Sequence, residues 1–205
     1  AISGGASFLV GALPGGAGKT TVMGALLNFV PPDVELRPAD SGRTVEQGLS
    51  RPEPRACYIC HEIGPGPYYA YLWDRELRAY FKLPSAGHMA ATNLHADTYE
   101  QARDQVCDEN GVREAQFRKV NLMFFMSVDR GGFTRRRRIE TAWESDGEGP
   151  HRRIFPPEND ARDGVSGDLA SPERLEQARR LVDRLVERGE RTIEQVRAAV
   201  LGTFA

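Results

Sequence analysis

The sequence has little cysteine and no excess of positive charge. Three cysteines in 205 residues are too few for the disulfide framework of a small secreted protein. Lys and Arg together number 27 against 29 Asp and Glu, which gives a formal net charge of −2. A protein that binds nucleic acid through bulk charge would carry a basic excess. We therefore expect no nucleic-acid partner.

Long hydrophobic runs are also missing. The longest apolar stretches, at 7–13 and 198–201, are far shorter than the roughly 20 residues that span a bilayer. No basic segment precedes an apolar stretch at the start of the chain, so the sequence predicts no signal peptide. Hydrophobic residues make up 40% of the chain and charged residues 27%, which is enough for a packed core. We expect a globular, cytoplasmic protein.

Apolar runs alternate with stretches of helical spacing over the first 107 residues. Short apolar runs predict strands at 6–13, 34–36, 56–63 and 88–94, and the first and third of them are closed by Gly and Pro. Apolar residues at helical spacing predict helices at 18–29, 68–81 and 97–107. The stretch 40–54 is rich in Gly, Ser, Arg and Pro, which is typical of a loop.

The second part of the chain has a hairpin signature and then a polar stretch. The β-rich runs 120–128 and 134–143 flank Asp129-Arg130-Gly131-Gly132, a turn sequence. The stretch 145–170 is polar and rich in Gly and Pro, so we expect a linker there. Two helices follow. The first begins at Ser171-Pro172-Glu173, a cap sequence with Pro at the first helical position, and the second covers 192–201.

These elements predict an α/β fold. Strands that alternate with helices indicate a mainly parallel sheet flanked by helices, here with a late β-hairpin and a small helical C-terminal appendage. We divide the chain into a core at 1–144, a linker at 145–170 and a helical segment at 171–205.

A glycine-rich segment with a lysine joins the first strand to the first helix. The phosphate-loop consensus G-x-x-x-x-G-K-[ST] is matched from position 14 onward, and Leu13 stands where the consensus has Gly. In that motif Lys19 reaches the β- and γ-phosphates and the Thr20 hydroxyl binds Mg²⁺. The predicted nucleotide-binding residues are Pro14, Gly15, Gly16, Ala17, Gly18, Lys19, Thr20 and Thr21. The predicted cofactors are ATP and Mg²⁺.

An acidic residue ends the third predicted strand. Tyr58-Ile59-Cys60-His61-Glu62 is a mostly apolar stretch that closes on a carboxylate, which can hold the Mg²⁺ shell or orient an attacking water. The alternative is a strand-end carboxylate paired with a surface arginine. The guanine-specificity pattern N-K-x-D does not occur in the sequence, which argues against a GTPase.

A histidine-containing segment completes a recognisable set of motifs. It runs from Gly87-His88 to Leu94-His95-Ala96. Together with the phosphate loop and Glu62, this segment resembles the His box of the type II and type IV secretion ATPases, which include pilus motors. The late hairpin resembles theirs as well. The resemblance covers about residues 6–144 and implies a RecA-like P-loop core.

The resemblance also implies roles and partners. Lys19, Glu62 and His95 become the catalytic residues, with Glu62 polarising water and His95 sensing the γ-phosphate. The family works as hexameric rings in secretion or pilus machinery, which implies a homo-oligomer and a place at the inner face of a membrane. Arg43, Arg51 and Arg55 are candidates for arginine fingers that act on a neighbouring subunit. For His95 the alternative is a hydrogen-bonded core histidine, and His88 is expected to be structural.

Two further functions stay open at this point. The chain could be a nucleotide-binding switch or adaptor that does not hydrolyse ATP, or a P-loop kinase of small molecules. Cys57-Tyr58-Ile59-Cys60-His61 also matches the C-x-x-C-H pattern of covalent haem attachment, but its apolar strand context favours buried core cysteines. The charge run Arg135 to Arg138 is expected to form a solvated or subunit-facing edge.

Overall fold

An eight-stranded sheet organises the chain. The computed structural model describes residues 1–13, 16–51, 53–129, 136–156 and 168–204. The strands are β1 (Phe8–Gly11), β2 (Glu35–Pro38), β3 (Ala56–Ile63), β4 (Tyr71–Leu72), β5 (Met89–Leu94), β6 (Leu122–Asp129), β7 (Arg136–Glu144) and β8 (Arg152–Phe155). The main path of the sheet has the order β2-β3-β5-β1-β6-β7-β8, and β4 pairs with β3.

The sheet is parallel from β2 to β6 and antiparallel at its far side. Strand β1 lies in the interior and pairs in parallel with β5 on one side and β6 on the other. Strands β6 and β7 form the expected antiparallel hairpin, and β8 adds a second antiparallel pair. The predicted turn sequence after Asp129 lies outside the described residues. The mixed α/β architecture with a mostly parallel sheet is therefore confirmed.

Helices cover both faces of this sheet. They are α1 (Lys19–Leu27), α2 (Gly42–Ser50), α3 (Asp74–Tyr80), α4 (Tyr99–Arg103), α5 (Glu114–Phe117), α6 (Pro172–Glu187) and α7 (Ile193–Phe204), with a π-helical turn at Asp104–Glu109. One buried cluster includes Leu9, Tyr58, Tyr80 and Phe117, and a second includes Phe8, Val10 and Met89. Because neighbouring positions on β1 belong to different clusters, each face of the sheet has its own core.

The secondary structure differs from the expected one in three places. The expected loop at 40–54 contains helix α2, which begins after Ser41, whose side chain caps the helix by accepting a hydrogen bond from the Thr44 amide. In the expected helix 68–81 only Asp74–Tyr80 is α-helical, because Tyr71–Leu72 pairs with β3 instead. The expected linker 145–170 contributes strand β8 to the sheet.

The C-terminal helices begin close to where the sequence predicts. The Ser171 side chain accepts from the Arg174 amide, and Pro172 is the first residue of α6. Helix α7 is tied to the end of α1, because the Arg197 guanidinium donates to the backbone carbonyls of Asn28 and Val30. The division of the chain into core, linker and appendage stays a prediction.

Candidate functional site

The loop between β1 and α1 turns through two glycines of left-handed conformation. Gly16 has a φ of 77° and Gly18 a φ of 96°, values that only glycine adopts without strain. Helix α1 begins at Lys19 with Gly18 as its N-cap, and no side chain caps its amides. Free amides at a helix start attract anions. Pro14 and Gly15, two of the predicted nucleotide-binding residues, lie outside the described residues.

The start of this loop is fixed to the end of β5. The Leu13 amide donates a hydrogen bond of 2.6 Å to Asp97 Oδ1. The Asp97 amide in turn donates to Gln101 Oε1 at 2.8 Å. Asp97 therefore holds the loop beside the segment that carries His95, a positioning role that the sequence analysis did not assign.

The Lys19 side chain is buried beneath the loop. Its relative exposure is 8%, and Nζ donates to the Ala12 carbonyl at 2.9 Å. Nζ lies 3.2 Å from His95 Nδ1 and 3.6 Å from Glu62 Oε2. The three predicted catalytic residues, from β3, α1 and the segment after β5, thus meet at one point.

His95 bridges the other two side chains. Because a protonated Lys19 only donates, His95 Nδ1 accepts, and the neutral ring carries its proton on Nε2. Nε2 faces Glu62 Oε2 at 3.7 Å, and the side chain is about half exposed, at 47%. This partial exposure and these partners do not fit the alternative of a core histidine.

Glu62 has one engaged and one unengaged carboxylate oxygen. Its Oε1 is buried and accepts no hydrogen bond from the part of the chain that the structure describes, and the same holds for Asn93 Oδ1. A buried acceptor of this kind can accept a hydrogen bond from a water or a ligand. The neighbours of Glu62 are the Lys19 ammonium and the His95 imidazole, not a surface arginine as the alternative supposed.

Burial favours the neutral forms of both buried groups. Burial lowers the pKa of Lys19, and the nearby Glu62 carboxylate is the main group that opposes this shift. Burial raises the pKa of Glu62, which is opposed by Lys19, His95 and His61 in that order. The charged form of each group is therefore stabilised largely by the charge of the other. An additional anion beside Lys19 would stabilise its charged form.

These groups open onto a cleft of about 710 Å³. The lining comprises Gly16, Ala17, Gly18, Lys19, Thr20, Thr21, Val22, Glu62, His95, Met126, Arg137, Arg138 and Ile139. All six predicted nucleotide-binding residues that the structure describes are among them. The two arginines were expected on a solvated or subunit-facing edge instead, because strand alternation does not show which neighbour a side chain meets.

Several other candidates are structural. Cys57 and Cys60 belong to the buried clusters on opposite faces of the sheet, and burial raises the pKa of both thiols to about 12. This geometry does not fit covalent attachment of one haem. His88 is buried, and its Nδ1 accepts from the Ala56 amide, as expected for a structural histidine. Arg55 bonds to the Gly5 carbonyl, at the strand ends opposite the loop.

The described ranges contain neither a membrane-spanning helix nor a cluster of metal-binding side chains. None of the described helices is long and apolar enough to cross a membrane. Among the same residues, no group of three or more His, Cys, Asp or Glu side chains is arranged to hold a metal ion.

The fold is similar to that of a solved secretion ATPase. No family model matches the chain, and no curated protein matches it. Among solved structures, it is similar to the VirB11 ATPase from the Brucella suis type IV secretion system in complex with sulphate, with a TM-score of 0.54 and 16% identity. The match covers 71% of this chain and 52% of that chain. The likeness shows the fold. This chain spans about half the length of its solved neighbour.

Proposed function

We propose that this chain is an ATP-binding domain of the secretion-ATPase type, and that it hydrolyses ATP. The observation that carries the proposal is the convergence of Lys19, Glu62 and His95 within 3.7 Å contacts beside a loop with two left-handed glycines. A lysine at a helix start and a buried acid that can position a water are groups that phosphoryl transfer uses, and the histidine contacts both. The fold likeness to a VirB11 ATPase supports the proposal.

The residues fit a magnesium-bound triphosphate. Thr20 is exposed to the cleft in the first turn of α1, where its hydroxyl would reach the ion. The unengaged Glu62 Oε1 supplies an acceptor for a bound water or ion ligand. In nucleotide sites Mg²⁺ is held by a few protein groups together with phosphates and water, and Thr20 and Glu62 would be those protein groups. When bound, Mg²⁺ would neutralise charge on the phosphates.

In this proposal Lys19, Glu62 and His95 have separate roles. Lys19 binds the terminal phosphates through its ammonium, and the α1 amides bind them through N–H groups. Glu62 orients the attacking water and polarises it. His95, in contact with both residues, senses whether the last phosphate is present and transmits its loss to the surface through its exposed edge.

The resemblance to secretion ATPases extends the proposal to assembly. We propose that the chain works as a hexameric ring in secretion or pilus machinery, at the inner face of a membrane. A neighbouring subunit would then complete each site with a cation. Arg43 and Arg51 remain candidates for that cation. The position of Arg55 at the opposite strand ends makes it the least suited of the three.

A second function is favoured by one observation. Lys19 is already engaged by Ala12, Glu62 and His95, so a nucleotide has to displace contacts in order to bind. An ATP-binding switch or adaptor that does not turn over would use the same contacts to report occupancy. Such a protein would bind ATP and release no phosphate.

Steady-state phosphate release separates the two functions. The ATPase proposal predicts turnover by the wild type and a loss of about two to four orders of magnitude in Glu62→Gln, the usual range for a positioned general base. Glu187→Gln, an exposed acid on α6, is the matched control and should retain wild-type turnover. ATP binding without phosphate release at any protein concentration would contradict hydrolysis and favour the switch.

A further inference from the structure

Arg137 on β7 lies across the glycine-rich loop. Its Nε donates a hydrogen bond of 2.8 Å to the Gly16 carbonyl. Its Cδ lies so close to Gly18 that a Cβ built there would sit 3.3 Å away. Arg137 and Gly16 are 121 positions apart in the sequence. The side chain thus covers the same loop whose amides face the cleft.

The charge of Arg137 is not balanced by an acid in the described part of the chain. Its neighbour Arg138 is engaged, because Nε donates to Glu140 Oε2 at 2.7 Å and to the Ser127 hydroxyl at 3.2 Å. None of the ion pairs within the described ranges includes Arg137. A guanidinium in this position adds positive charge and further N–H donors to the wall of the cleft.

The order of strands places Arg137 opposite the catalytic groups. Strands β3 and β5, which lead to Glu62 and His95, lie on one side of β1, and β6 and β7 lie on the other. A phosphate chain whose terminal group sits at Lys19 and Glu62 can therefore place its remaining phosphates beside β7. Both sides border the same cleft.

We propose that Arg137 binds the non-terminal phosphates of the nucleotide within the same subunit. This inference rests on the proposed nucleotide site and specifies which part of the ligand Arg137 recognises. It is the diphosphate part, shared by ATP and ADP, and not the phosphate that is transferred. Arg137 is thus a binding residue that acts on affinity for both nucleotides and leaves the chemical step unchanged.

Calorimetric titration with Mg-ATP and with Mg-ADP tests this assignment on the full chain. Arg137→Ala should weaken both nucleotides by about the same factor, roughly tenfold, the lower end for a charged hydrogen bond at an exposed side chain. Arg136→Ala removes the same charge from the neighbouring position of β7, outside the cleft lining. It should change both affinities by less than about twofold.

Two conservative variants separate phosphate binding from support of the loop. Arg137→Lys keeps the charge and should retain most of the affinity. Arg137→Gln keeps an N–H donor for the Gly16 carbonyl but no charge, and should bind as weakly as Arg137→Ala. Thermal unfolding of each variant checks that the fold is retained, and Arg137→Gln serves as the readout if the alanine variant does not fold.

The outcomes have separate meanings. Wild-type affinity in Arg137→Gln would reduce the residue to a loop support and overturn the inference. Loss of ATP affinity alone, with ADP affinity unchanged, would show that Arg137 binds the terminal phosphate and would overturn the inference as well. Unchanged affinity in Arg137→Ala, with a wild type that binds, would refute the inference and leave the proposed function intact. A wild type that binds neither nucleotide would refute the proposed function itself.

Discussion

Replacement of Lys19 by alanine should leave a buried, unpaired acid. The Lys19 ammonium and the Glu62 carboxylate are 3.6 Å apart, and their residues are 8% and 6% exposed. At an effective dielectric constant of about 20, such charges attract each other by about 4–5 kcal/mol. Part of this is offset because the variant no longer has to bury an ammonium. We therefore expect Lys19→Ala to lower the free energy of unfolding by about 2–3 kcal/mol at pH 8.

The cost should depend on pH in a defined direction. Burial already raises the pKa of Glu62 above its ordinary value of 4.5, against the opposing effect of Lys19, so removal of Lys19 raises this pKa further. A carboxyl whose pKa is higher in the folded state costs no stability below its unfolded pKa. The cost develops as the pH rises from about 4.5 through the folded pKa and is complete above it.

Urea denaturation at several pH values between 5 and 8 measures this effect. We expect the deficit of Lys19→Ala relative to wild type to be smallest at pH 5 and largest at pH 8. The double variant Lys19→Ala with Glu62→Gln removes the unpaired charge, so at pH 8 it should recover about 1–2 kcal/mol and show a flatter profile. A deficit that is independent of pH, or a double variant less stable than Lys19→Ala, would refute this account of the pair.

Three further predictions concern individual contacts. His95→Gln should lower ATP turnover by at least about tenfold with ATP affinity changed by less than about threefold, because it removes the imidazole and keeps polar contacts; a calorimetric loss of affinity equal to the loss of turnover would contradict the sensor role. Tyr80→Phe should cost about 1–2 kcal/mol of unfolding free energy, because the buried hydroxyl shares its one proton between the Tyr58 and Ala91 carbonyls, each 3.0 Å away; unchanged stability in urea would contradict it. Arg197→Ala should lower the stability by about 1–3 kcal/mol and speed hydrogen exchange in α7, because two backbone carbonyls near the end of α1 lose their donor; exchange at the wild-type rate would show that this contact does not hold the helix.

The sequence allowed most strands to be predicted, because short apolar runs closed by Gly or Pro correspond to buried parallel strands. Helix α2 was missed because Gly, Arg and Ser dominate its stretch, although Ser41 and Thr44 carry the cap. The strand Tyr71–Leu72 was predicted as helix because its pairing with β3 is a tertiary contact. Local spacing carries no information about such a contact.

For the candidate site, the sequence likewise predicted the main residues but not their contacts. Lys19, Glu62 and His95 were all identified from motifs, and the structure brings them together. The burial of Lys19 and its bond to Ala12 were not predictable, because they depend on the path of the loop. Arg137 was also missed, since its contact with Gly16 links two distant parts of the sheet.

The central claim is that ATP binds where Lys19, Glu62 and His95 meet. The most direct measurement follows the histidine side-chain NMR signals of the full chain, each assigned by a single His→Gln variant, during titration with Mg-ATP. We predict a saturable shift of the His95 signals, while the buried His88 and His151 keep theirs. In Lys19→Ala the same shift should require roughly ten to a hundred times more ATP. No shift at His95 with saturating Mg-ATP, or an equal response in Lys19→Ala, would contradict the claim.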